Sequence, residues 1–71
     1  MKYREFIAII EDHGFRLHRQ GATSHAIYRG TVNGKVEQVI VAGSGGEDIK
    51  PKTLASMIRQ SGLPKKLFRK R

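Results

Sequence analysis

Three histidines, His13, His18 and His25, are the side chains of this sequence best suited to moving protons near neutral pH, because an unperturbed imidazole titrates near pKa ~6.5. Arg16 and Arg29 are interleaved with them. A guanidinium grips a phosphate through two parallel donors. Together these groups suit cleavage of a phosphodiester that carries its own 2′-hydroxyl nucleophile. One group takes a proton, one returns it, and the cations hold the phosphate. No metal ion and no small-molecule cofactor enter that chemistry. The chain has no cysteine, and its histidines lack the spacing of a structural zinc site.

Other signatures are weak or missing. Ser24 beside His25 is not a nucleophile–base pair, since neighbours on a strand point to opposite faces. The stretch Gly43-Ser44-Gly45-Gly46 lacks the Lys-Ser/Thr ending of a phosphate-binding loop and reads as a flexible linker.

Residues 2 to 13 read as a helix. Tyr3, Phe6, Ile7 and Ile10 fall on one stripe, with Ile9 outside it, and Gly14 follows as the stop. Residues 15 to 19 alternate apolar and polar, and residues 20 to 23 form a turn. Two further strands, 24 to 32 and 35 to 42, flank Asn33-Gly34, the strongest short hairpin signal. A second helix runs from Pro51 or Lys52 to Ser61, with Leu54, Met57 and Ile58 inward. Gly62 caps it, Leu63 packs behind the cap, and Pro64 prevents continuation. The order is α-β-β-β-α: an α+β fold with both helices on one face of a three-stranded antiparallel sheet.

The Asn33-Gly34 turn pairs Tyr28 with Val39, Ala26 with Val41, Ile27 with Ile40, Arg29 with Gln38 and His25 with Ala42. Phe6, Ile10, Phe15, Leu17, Tyr28, Val39, Val41, Leu54 and Ile58 then form the core. The pattern across the first turn sets Leu17 opposite Ala26 and His18 opposite His25. The open face collects Arg16, His18, His25, Arg29 and Gln38 around an exposed Ile27–Ile40 pair. His13, at the end of the first helix, complements the helix dipole. A generic polar sheet surface and an ordinary surface His18 are the plain alternatives.

Length and charge bound the partners. The chain of 71 residues allows one domain, and 14 Lys+Arg against 6 Asp+Glu give +8, which points to a polyanion. Five of those bases lie in residues 65 to 71, and the remaining nine against six acids leave +3. We therefore divide the chain into a domain over residues 1–63 and a basic tail over 64–71. The tail is either a solvated end or an arm that steers nucleic acid, and Leu67 and Phe68 favour a tail that docks. No apolar run approaches the ~20 residues of a membrane span. The N-terminal residues lack a signal-peptide core, so a cytoplasmic location is expected and no membrane partner.

The sequence resembles the HicA family of toxins from type II toxin–antitoxin pairs. The resemblance rests on the opening helix ending in His13-Gly14-Phe15, then Arg19-Gln20-Gly21, Ser24-His25 and Tyr28. It continues through Ile49-Lys50-Pro51-Lys52-Thr53-Leu54 and Met57 to Leu63. It implies a double-stranded-RNA-binding-like fold and an endoribonuclease that cleaves mRNA and is neutralised by a HicB-type antitoxin. The family's catalytic histidine follows Gly-Ser; carried over, it is His25, with Thr23 standing where the family commonly has Gly. His18 and Arg29 are its possible assistants. Arg16, Arg29, Lys50, Lys52, Lys65 and Lys66 are the expected RNA contacts, and Ile27 with Ile40 the expected antitoxin contact. The competing reading is a non-catalytic RNA-binding module of the same fold, favoured by Lys50, Lys52 and the tail. A purely protein-binding subunit would rest on the Ile27–Ile40 patch alone.

Overall fold

The computed structural model describes residues 1–21, 25–43 and 45–69. Its elements are α1 (Tyr3–Asp12), β1 (Arg16–Gln20), β2 (His25–Val32), β3 (Lys35–Ala42), α2 (Pro51–Ser61) and a closing 3₁₀ turn (Lys65–Phe68). The strands form one antiparallel sheet in the order β1-β2-β3. The expected α-β-β-β-α arrangement is the one observed. No helix among the described residues is long and apolar enough to cross a membrane.

The hairpin register follows from two residues. Asn33 and Gly34 take φ of 53° and 79°, the left-handed values that a two-residue turn needs to match strand twist. The pairs Tyr28–Val39, Ile27–Ile40, Arg29–Gln38 and His25–Ala42 result as expected.

The β1–β2 register differs from the expectation. Arg16 pairs with Arg29 and Leu17 with Tyr28, whereas Arg19 pairs with Ile27 and Gln20 with Ala26, so a bulge falls at His18. Two anchors force it. The Phe15 ring lies over Gly30, where an added Cβ would come within 2.7 Å of the ring. At the other end the carbonyl of His25 accepts the Gly21 N–H at 2.8 Å and the Gln20 Nε2 at 3.1 Å. These anchors differ by one residue in spacing, and a bulge absorbs such an extra residue. His18 is therefore not opposite His25, and Leu17 is not opposite Ala26. The turn residues 22 to 24 lie outside the described residues.

The core holds Phe6, Ile10, Phe15, Val39 and Val41, with Tyr28, Leu54 and Ile58 packed half-buried against it. Leu17, expected there, is 51% exposed. It shares a face with Tyr28 but lies on the outermost strand. Ile49, Met57 and Phe68 are buried additions.

Of the two readings of the tail, Phe68 favours the docked one, and the surface it docks on is the domain itself. It is 6% exposed, and its ring stacks on Phe6 with centroids 5.0 Å apart and planes 18° from parallel. Residues 65–68 thus belong to the packed domain. Lys70 and Arg71 lie outside the described residues.

The glycine-rich loop is likewise no free linker. The first N–H groups of a helix lack intrahelical acceptors. Here Tyr3 N–H donates to the Glu47 carbonyl at 3.0 Å and Arg4 N–H to the Gly45 carbonyl at 3.1 Å. Lys2 Nζ reaches the Gly46 carbonyl at 3.2 Å, and the Tyr3 ring occupies the space a Cβ on Gly43 would need. At the far end of α1 His13 is the C-cap, one residue past the helix, with Nδ1–H donating to the Ile9 carbonyl at 2.9 Å. Gly62 caps α2 at φ 71°, with Leu63 packed against the core behind it.

Candidate functional site

The open sheet face is set by pairing. β2 contributes His25, Ile27, Arg29 and Thr31, and β3 contributes Val36, Gln38, Ile40 and Ala42 opposite them. β1 contributes Arg16 opposite Arg29 and Arg19 opposite Ile27. No acid stands among these ten positions, so the face carries positive potential wherever it is charged.

His25 opens β2 and is exposed. Its carbonyl is the acceptor that closes the β1–β2 connection, so the backbone beneath the imidazole is held by hydrogen bonds from Gly21 and Gln20. A group meant to act on a bound phosphate gains from such a fixed base.

The bulge changes which side chain accompanies His25. The expectation set His18 on the open face beside it. The bulge leaves His18 without a direct partner and brings Arg19 to a paired position opposite Ile27, two residues along from His25. Sequence alternation missed Arg19. The detectable signal was Gly30, whose bare backbone makes room for Phe15 and so shifts the start of β1.

Arg16 sits where expected, but its Nη1 donates to the carbonyls of Glu11 at 3.0 Å and Phe15 at 2.7 Å. It closes the end of α1, which leaves its other donors for solvent or ligand. Arg29 and Arg19 have no ion-pair partner among the described residues, where the one ion pair joins Lys2 to Asp48 at 3.7 Å.

The lysines fall elsewhere. Lys50 is the N-cap of α2 and Lys52 stands in its first turn. Lys65 and Lys66 are exposed on the 3₁₀ turn. Lys65 and Arg69 border a shallow hollow over Pro51, Ala55 and Ile58, on the helical side of the molecule. The structure therefore separates the expected RNA contacts into a sheet-face set and a helix-side set. Only Lys52 approaches the boundary, where it shares a cleft with Ile40.

The Ile27–Ile40 pair stands in the middle of the open face, with Ile40 52% and Val36 62% exposed. Tyr28 points to the opposite, core side. Burial chiefly, and the negative charge of Glu11 next, raise its phenol pKa above the usual value.

Fold and site together define a small basic α+β domain with a cationic, acid-free sheet face. The family model described as "HicA toxin of bacterial toxin-antitoxin" matches residues 3–63, and the chain belongs to this family of toxins. No curated protein and no solved structure gave a significant match.

Proposed function

We propose that this toxin is an endoribonuclease that cleaves mRNA in the cytoplasm without a metal ion, and that a HicB-type antitoxin neutralises it. The observation that carries the reading is His25, exposed at a hydrogen-bonded strand end on a face whose charged neighbours are all arginines. In this reaction the 2′-oxygen attacks the adjacent phosphorus. His25 transfers a proton at the 2′-oxygen or at the departing 5′-oxygen, and a second group or water serves the other end. Arg29 and Arg19 hold the phosphate and offset its charge as the bond breaks. The Ile27–Ile40 pair gives the antitoxin an apolar anchor beside His25, so docking there also covers the imidazole.

The test is cleavage of a defined mRNA by purified protein in the presence of a chelator, with and without His25→Ala. Activity that survives the chelator and vanishes with the substitution supports the reading. Parental cleavage by His25→Ala would sink the catalytic assignment. A non-catalytic RNA-binding module is the second reading, and the helix-side Lys50, Lys52, Lys65 and Lys66 favour it.

A further inference from the structure

Between α2 and the exposed side of β3 runs a shallow, open cleft of about 370 Å³, lined by Ile40, Lys52, Thr53, Ser56, Met57 and Gln60. Ile40 and Met57 supply its apolar floor. The remaining four side chains supply a cation, two hydroxyls and an amide.

One hydrogen bond orients the amide. Gln60 Oε1 accepts the backbone N–H of Ile40 at 3.0 Å. With the oxygen engaged by a donor, Nε2 is left as the hydrogen-bonding group Gln60 presents to the cleft. Thr53 and Ser56 stand one helical turn apart on the same side of α2, and Gln60 a turn further.

The cleft also adjoins the catalytic face. Ile40 pairs directly with Ile27, which lies two residues along β2 from His25. Diagonal neighbours on a sheet are ~7–8 Å apart.

We infer that this cleft is a ribose-reading subsite, in which the Thr53 and Ser56 hydroxyls and the Gln60 amide bind a 2′-hydroxyl while Lys52 holds the neighbouring phosphate. The ligand is a single strand of RNA, and the contact that distinguishes it from DNA is the 2′-hydroxyl, which donates and accepts. The open face has no Phe, Tyr or Trp among its ten positions, so sugar and phosphate contacts add to the stacking that His25 and the arginines can offer. The inference rests on the RNA-directed reading above but is tested by binding alone.

The experiment titrates a short labelled RNA, and DNA of the same sequence, against the full chain carrying His25→Ala. The expected result is a preference for RNA. Adding Thr53→Ala and Ser56→Ala should cut the RNA-to-DNA ratio about tenfold, equivalent to about 1.4 kcal/mol, with DNA affinity unchanged. Alanine suits a helix better than Thr or Ser, so the variant should fold, and a parental melting curve checks it. Lys52→Gln should instead weaken both nucleic acids alike and lower the salt slope by about one. An unchanged ratio in the folded double variant overturns the subsite and leaves the ribonuclease reading standing. Absence of RNA binding by the starting protein overturns both.

Discussion

Phe68, in the last turn of the described chain, stacks face to face on Phe6 in the first helix. The contact joins the two ends of the molecule through one aromatic pair, each ring buried. Phe68→Ala should therefore cost about 3 kcal/mol, within the ~3–5 kcal/mol of buried Phe truncations. Removal of residues 65–71 should destabilise at least as much, whereas removal of 70 and 71 alone should leave the fold intact. Urea midpoints measure all three, and an unchanged midpoint for Phe68→Ala would remove Phe68 from the core.

His25→Ala should lower cleavage by ~10²–10⁴, the usual contribution of a general acid or base. Its stability should stay within about 0.5 kcal/mol of the parent, because the side chain is exposed. The companion variants follow from the bulge. His18→Ala should retain most activity and Arg19→Ala should lose much of it, since Arg19 holds a paired position opposite Ile27 while His18 stands unpaired in the bulge and not opposite His25. Initial rates on one RNA decide it, and the reverse ranking would show that the bulge does not govern the site.

Ile40→Asp places a charge in the middle of the exposed apolar pair without disturbing a buried contact. It should abolish binding of the antitoxin, because an unpaired carboxylate buried in an interface is costly. Pull-down of the partner and a thermal melt of the free toxin measure the two effects separately. Antitoxin binding at parental strength would move the interface off this face.

The Tyr28 phenol has its pKa raised by burial and by Glu11. The folded state thus holds the proton more tightly than the unfolded state. Its contribution is fully present below the unfolded value near ~10 and is lost as pH rises through the higher folded value. Tyr28→Phe should flatten that alkaline loss relative to the parent, as measured by denaturant midpoints across the range. Parallel curves for the two proteins would mean that Tyr28 titrates alike in both states.

Local chemistry made most of the architecture readable. Asn33-Gly34 sets the β2–β3 pairing unaided, because only residues tolerant of positive φ can make so short a turn. The face positions of His25, Arg29 and the Ile27–Ile40 pair were readable, because they follow from that turn. It was not readable at β1. There the pairing depends on Phe15 meeting Gly30 and on Gly21 meeting His25, two contacts that alternation does not encode. Phe68 stood out among its basic neighbours as a residue that docks, but its partner Phe6, at the other end of the chain, was not encoded locally. The glycine-rich loop looked like a spacer because backbone carbonyls, which every residue carries, do its bonding to α1.

The Gln60–Ile40 hydrogen bond has a bearing on solubility. A three-stranded sheet has two rims, and an open rim is a template for strand addition and aggregation. On one rim α2 lies alongside β3 and Gln60 occupies the Ile40 amide. On the other, β1 is short, broken at His18 and flanked by Arg16 and Arg19, so a second copy would meet both a kink and like charge. Each rim thus carries a feature that discourages strand addition, an occupied amide on β3 and a kink with like charge on β1.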